Sequence, residues 1–172
     1  LYVLGIMGYS YLVEGFYQTK KRSQTRPLAQ VVGRTDFALF PVAGYLVHAN
    51  FDVTALLIFL FFYPWALTHL AANDIVDVAN DRARGMATIP VLYGMKGAAV
   101  WVAGFSAAHA VMALALGITL GPIALAGFGA GLILLGAATR LILKEEDAMR
   151  ALPLIHATLI IYAAAMIAAA VL

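Results

Sequence analysis

The sequence predicts an all-α protein: a polytopic transmembrane helical bundle with six spans, forming a single domain over residues 1–172. Three observations carry that reading. Of the 172 residues, 63% are hydrophobic and only 12% are charged, whereas a soluble domain carries about 25% charged residues. The mean hydropathy is +0.90, and apolar runs close to the roughly 20 residues that a spanning helix needs recur along the chain. The basic residues, finally, cluster in alternate connections, as in a chain that crosses a bilayer repeatedly.

The apolar segments fall at about 1–18, 28–49, 53–72, 97–117, 119–140 and 153–172. The second is the least uniform, because Arg34 and Asp36 lie inside it. The last three are rich in Ala and Gly, which suits close helix packing in lipid and a scaffold role. Lys20, Lys21, Arg22, Arg26 and Arg34 follow the first segment, Arg82, Arg84 and Lys96 the third, and Arg140, Lys144 and Arg150 the fifth. Together these are all eleven Lys and Arg residues of the chain. The connections around Asn50–Asp52 and Gly117–Pro122 have none, so the odd-numbered loops are expected on the cytoplasmic side. There is no cysteine, which excludes disulfides and thiolate metal sites. No basic n-region precedes the first apolar run, so no signal peptide is expected. The abrupt start at Leu1 suggests a fragment of a longer protein. The expected partners are a lipid bilayer and membrane-soluble molecules, with no nucleic acid.

The strongest chemical signal follows the third segment, in Asn73-Asp74-Ile75-Val76-Asp77-Val78-Ala79-Asn80-Asp81. On a continuous helix Asp74, Asp77 and Asp81 fall within about 60° of one another, on one face. Three stacked negative charges repel, and ionised groups near a bilayer are costly, so a positive group is expected among them. Asp and Asn oxygens with no Cys nearby suit a hard divalent ion such as Mg²⁺. The plainer alternative is a solvated polar helix end. Gly85 and Pro90 are expected to end the helix and shape a loop. Arg82 and Arg84 put guanidinium groups beside the carboxylates, a combination that suits a diphosphate. A second basic element, Tyr17-Gln18-Thr19-Lys20-Lys21-Arg22, lies on the same membrane face and could reach the same anion. Its plainer reading is a positive-inside anchor.

These two elements together carry a resemblance. Asn73-Asp-x-x-Asp-x-x-x-Asp81-Arg82, then Gly85, Thr88-Ile89-Pro90-Val91 and Gly94, resembles the second Asp-rich region of the UbiA family of intramembrane prenyltransferases. Tyr17-x-x-x-Lys21-Arg22 resembles that family's Tyr-x-x-x-Lys element. The resemblance runs along the whole chain, with its six helices matching the fourth to ninth of the family's nine. It implies an enzyme that transfers an isoprenyl chain from a polyprenyl diphosphate to a lipophilic acceptor, with Mg²⁺ assisting ionisation of the diphosphate. By position it implies Asp77 and Asp81 as Mg²⁺ ligands, with Asp74 and Asn73 assisting. Tyr17, Lys21 and Arg22 would contact the diphosphate, with Arg82 or Arg84 as further candidates. The family's first Asp-rich motif has no counterpart in these residues. This piece is therefore expected to hold half of a two-metal site and to be inactive alone.

An aromatic quinone precursor is the first expectation for the acceptor, with a porphyrin or an archaeal glycerolipid precursor as alternatives. A cation-coupled transporter is the reading from another class, although such proteins favour acids near the bilayer midplane. A CDP-alcohol phosphotransferase would need an Asp-Gly…Ala-Arg signature that is not found. Among the remaining polar residues, Asp36 is expected to pair with Arg34, and Glu14 to hydrogen-bond locally or face the acceptor. His69 is expected to pack, or to support the site from one turn away. His48, His109 and His156 have no acidic or histidine partner at ligand spacing and are expected to be structural. Phe59, Phe61, Phe62, Tyr63 and Trp65 are expected to face lipid, with a prenyl tunnel as the alternative. Glu145-Glu146-Asp147 reads as a solvated loop.

Overall fold

The computed structural model describes residues 1–144 and 148–171. The Glu145–Asp147 run lies outside the described residues. Among these residues there are only helices and connections: α1 (Tyr2–Lys20), α2 (Leu28–Gly33), α3 (Thr35–Tyr45), α4 (Val53–Val76), α5 (Val78–Ala83), α6 (Ile89–Leu120), α7 (Pro122–Leu143) and α8 (Ala148–Val171). Four of them, α4, α6, α7 and α8, are long and apolar enough to cross a membrane.

The expected second segment is not one helix. Its chain turns at Arg34 (φ −87°, ψ 0°), which ends α2 and starts α3. The Thr35 hydroxyl donates to the Val32 carbonyl at 2.6 Å and so takes up one of the acceptors exposed by that break. The sixth helix begins earlier than expected, at Ile89, but is broken at Gly94 (φ 71°, ψ 174°). That φ is costly for any residue with a Cβ. Pro90 belongs to the first turn of α6 rather than to the end of the Asp-bearing helix, a position where its missing N–H costs nothing.

Helix α4 is the buried centre, packed against α3, α6 and α8. Asp52 caps its start by accepting from the Ala55 N–H at 3.0 Å. That bond, with the Tyr45 hydroxyl donating at 2.8 Å, holds the Asp52 carboxyl below its ordinary range. Phe61, Phe62 and Trp65 are buried in the protein, not facing lipid as expected. Phe61 stacks on Phe128 at 4.7 Å and meets Tyr162 edge-on at 5.0 Å. Phe59 and Tyr63 are half-buried and stack on each other at 5.5 Å.

His109 is structural, as expected. Its Nδ1 lies 2.8 Å from the Phe61 carbonyl and its Nε2 3.0 Å from the Tyr162 hydroxyl. A carbonyl only accepts, so Nδ1 carries the proton and the Tyr162 hydroxyl donates to Nε2. This buried network ties α4, α6 and α8 together.

The small residues of α7 let α8 approach closely. A Cβ at Gly131 would sit 2.1 Å from the Tyr162 ring, and one at Gly127 would sit 2.3 Å from the Ala165 Cβ. Gly129 has open space instead. Gly131→Ala should therefore displace Tyr162 from His109 and cost about 1–3 kcal/mol, the usual range for overpacking. Gly129→Ala should leave thermal denaturation in detergent near wild type. Equal melting temperatures for the two variants would refute this account of the α7–α8 contact.

Candidate functional site

The site is assembled where the end of α1 meets the connection after α5. The Lys21 N–H caps α1 on the Tyr17 carbonyl at 3.1 Å, and the chain then leaves the helix. It is at once tied across the molecule. The Lys21 carbonyl accepts from the Ala87 N–H at 2.7 Å. The Gln24 amide donates to the Ala87 carbonyl and to Gln30 Oε1, both at 2.6 Å, while Gln24 Oε1 accepts from the Ala29 N–H at 2.7 Å. Both backbone groups of Ala87 are thus held by the basic connection. Gln24 and Gln30 are buried polar side chains whose amides are used in this junction.

On the acidic side the continuous face expected from the sequence is interrupted. Helix α4 ends at Val76, Asp77 takes φ −91°, ψ 5°, and α5 starts at Val78. The interruption separates the environments of the three carboxylates. Asp74 is 6% exposed, Asp81 is intermediate and Asp77 faces water. Gly85 ends α5 as expected, with φ 66°. The Met86 N–H bonds to the Asp81 carbonyl at 2.8 Å and the Gly85 N–H to the Arg82 carbonyl at 3.2 Å, the Schellman pattern. Thr88 then stands at the N-cap of α6, but its hydroxyl donates to Asp81 Oδ2 at 3.0 Å instead of capping the helix. Asp74 accepts from the Ile89 N–H at that helix start, while its Oδ2 is buried with no hydrogen-bond partner.

The two sides meet around Tyr17. Asp74, Arg34, Glu14 and Asp81 all lie within electrostatic reach of its hydroxyl. Lys21 Nζ lies 4.8 Å from the Tyr17 ring centroid and the Arg34 guanidinium carbon 5.6 Å. The ring rests on Gly33, where a Cβ would come within 2.6 Å of Tyr17 Cδ2. Arg34 is the residue that sequence reasoning missed. The available signal is an arginine inside an apolar segment, with Asp36 two positions away as its expected partner. In the structure the Asp36 carboxylate accepts from the Phe37 N–H at 2.5 Å, while Arg34 turns to Tyr17 and its Nε is buried without a partner. Glu14 is taken by Gln18, whose amide donates to it at 2.5 Å.

Of the expected site residues, the structure brings together Tyr17, Lys21, Asp74 and Asp81, with Asn73 one residue away from Asp74. Arg22, Arg82 and Arg84 are exposed, the first in the connection after α1 and the others at the end of α5. His69 does more than pack. Its Nε2 lies 2.8 Å from His156 Nε2 and 3.3 Å from the Asn73 amide nitrogen. His156 therefore does have a histidine partner, 87 residues away in sequence and invisible to any spacing rule.

Among the described residues no three His, Asp or Glu side chains converge into a self-sufficient metal site. The donor chemistry still fits Mg²⁺, which is often held by one or two carboxylates while substrate phosphates and water complete its shell. The partnerless Asp74 Oδ2 is the observation that supports the fit.

The sequence profile of the UbiA prenyltransferase family matches residues 1–161. The chain belongs to that family. It is 29% identical over 97 residues to a protein from Buchnera aphidicola subsp. Baizongia pistaciae named protoheme IX farnesyltransferase, covering 56% of this chain and 32% of that protein. It is 31% identical over 107 residues to protoheme IX farnesyltransferase 2 of Bacillus subtilis, covering 59% and 34%. The chain thus spans about a third of the length of these two curated relatives. The fold matches the apo structure of a UbiA homolog from Aeropyrum pernix K1, with a TM-score of 0.80 at 21% identity, over 98% of this chain and 64% of that one.

The glutamine junction makes a direct prediction. Gln24→Ala leaves the Ala29 N–H without its acceptor and removes the Gln24 donor to Ala87, so it should destabilise by about 1–3 kcal/mol. Hydrogen exchange should rise at the amides of residues 84–88 and 21–26, while exposed Ser23→Ala should change neither. Wild-type protection in Gln24→Ala would mean that the two connections are held together by something else.

Proposed function

We propose that the protein containing this chain transfers an isoprenyl group from a polyprenyl diphosphate to a lipophilic acceptor. It would do so as a multi-pass membrane protein with its site towards the cytoplasm. The observation that carries this reading is the junction of Tyr17, Lys21 and Arg34 with Asp74 and Asp81. It sets donors for an anion beside carboxylates for its counter-ion. Family membership favours prenyl transfer over cation-coupled transport. In this reading α1 and the α2–α3 pair join the four long apolar helices to give six crossings of a nine-helix fold.

The residues divide the work by charge. Lys21, Arg34 and the Tyr17 hydroxyl hold the diphosphate oxygens, with Arg22, Arg82 and Arg84 supplying outer positive charge. Asp77 and Asp81, with Asp74 and Asn73 assisting, would hold Mg²⁺, which when bound supplies charge that stabilises the departing diphosphate. The allylic C–O bond breaks with its electron pair going to the diphosphate, where the half-buried Arg34 guanidinium acts in a low dielectric and so acts strongly. A π electron pair of the acceptor then forms the new bond to the allylic carbon, sheltered from bulk water, and the positive charge left on the acceptor is discharged by loss of a proton or addition of water. The names of the two bacterial relatives favour a farnesyl donor and a porphyrin acceptor over a quinone precursor or an archaeal glycerolipid precursor.

The test uses the full-length protein, labelled farnesyl diphosphate, and haem or a hydroxybenzoate as acceptor, with and without EDTA. Mg²⁺-dependent transfer to haem is expected. Asp77→Ala and Asp81→Ala should each abolish it while the protein stays folded. Arg34→Gln should raise KM for the diphosphate about 10- to 100-fold, the scale of a lost charged hydrogen bond. Wild-type rates in either Asp variant would contradict the ligand roles, and transfer to the hydroxybenzoate alone would restore the quinone-type acceptor.

A further inference from the structure

Beside the diphosphate site lies a second polar cluster that the mechanism above does not use. His69 on α4 and His156 on α8 face each other through their Nε2 atoms at 2.8 Å. His69 lies flat on Trp65, with ring centroids 5.2 Å apart and planes 5° apart. The Trp65 indole N–H donates to Thr158 Oγ1 at 2.8 Å, and that hydroxyl donates to the Ile155 carbonyl at 2.7 Å. The orientation of His69 is therefore fixed from α8. His156 is exposed at the side of the bundle, so the pair is reachable.

No carboxylate hydrogen-bonds either ring among the described residues. An imidazole pair in an apolar helical layer without an acid partner is an expensive way to join two helices, and polar groups there are functional by default. With one proton between two nitrogens, one Nε2 keeps a lone pair aimed at its partner. Neutral imidazole is the commonest protein ligand for transition metals, and it is the proximal ligand of haem iron in several protein classes. The location adds to this. His69 precedes Asn73 by one helical turn on α4, and Arg34 is within electrostatic reach of it. The pair thus borders the proposed diphosphate site.

We infer that His69 and His156 form an imidazole site for a transition-metal centre at the acceptor end of the active site. The inference rests on the porphyrin reading above, and its occupant there is the metal of a metalloporphyrin acceptor. The ring with the bare Nε2 turns its lone pair from the neighbouring N–H to the metal, so no proton is lost. The N–H it leaves is free to donate to an oxygen atom on the acceptor. A porphyrin held through its metal at this point brings its rim to the diphosphate site. A free ion such as Ni²⁺ or Zn²⁺ shares the same ligand chemistry and is the other source.

The test titrates the full-length protein in detergent with Fe(III) protoporphyrin IX, metal-free protoporphyrin IX and Ni²⁺. It reads the Soret band and the tryptophan emission, which Trp65 should report because it stacks on His69. His69→Gln, His156→Gln and the double variant are compared with wild type. Glutamine preserves hydrogen bonding between α4 and α8, and the exposed position of His156 makes its single variant the safer fold. A Soret shift on binding, haem affinity at least tenfold weaker in the variants, and unchanged metal-free porphyrin affinity are expected. His-dependent quenching by Ni²⁺ without any haem effect would support the site with a free ion as occupant. Unaltered haem spectrum and affinity, together with unaltered Ni²⁺ quenching, in the folded double variant would overturn the inference, and haem prenylation by wild type would then leave the functional reading intact. Failure of wild type to bind or prenylate haem would instead remove the porphyrin reading and the metalloporphyrin occupant with it.

Discussion

The site depends on one backbone junction. Ala87 gives its N–H to the Lys21 carbonyl and its carbonyl to Gln24, with the Gln30 amide also within 3.3 Å. Without it, the cationic end of α1 and the acidic end of α4 would belong to two connections free to move apart. Mutual charge attraction alone would be a poor substitute. Exposed ion pairs contribute little and are screened by salt, whereas buried amides such as Gln24 and Gln30 are costly to leave unpaired and so enforce one arrangement. The junction turns two loops into a rigid support, which is what an anion site needs to hold its donors in place.

Helix α4 carries both the packing and the chemistry, and the i, i+4 geometry of a helix explains how. Phe61, Trp65, His69 and Asn73 follow one another at four-residue intervals, so they stack along one side. The stack runs from the aromatic core around Phe61, through Trp65 on His69, to the amide of Asn73 beside Asp74. The lower end of this stripe is closed by Phe128 and Tyr162, and its upper end opens into the polar site. Rigidity at one end therefore supports the position of groups at the other.

Much of the site was legible in the sequence because local rules determine it. Asp74 and Asp81 stand out by their spacing after an apolar run, Gly85 by its place at a helix end, and Tyr17-x-x-x-Lys21 by its position after the first segment. What escaped was set by tertiary contacts. Nothing local announces that Asp77 interrupts the helix and so gives three carboxylates at helical spacing three different exposures. Arg34 had an acidic residue two positions away, yet α2 ends at that arginine and the Asp36 carboxylate is taken by a backbone N–H. Phe61, Phe62 and Trp65 look lipid-facing in a run that is apolar on every side, because a helix buried in protein and one exposed to lipid have the same composition. His69 and His156 sit on helices brought together only by the α4–α8 packing.

Two buried atoms bear on the proposed function. Asp74 Oδ2 is an acceptor without a donor, and Arg34 Nε is a donor without an acceptor. Each such group costs on the order of 1–3 kcal/mol, more when charged. They are within electrostatic reach of each other, yet they do not pair. A purely structural solution would have joined them in one salt bridge. Holding them apart costs stability, and a ligand that presents positive charge to Asp74 and oxygen acceptors to Arg34 would relieve both. A diphosphate accompanied by a hard cation has that polarity within one small group. In the proposed reading, the unfilled hydrogen-bonding capacity on both sides of Tyr17 is what a metal diphosphate would take up, and it supports that reading better than the count of acidic residues does.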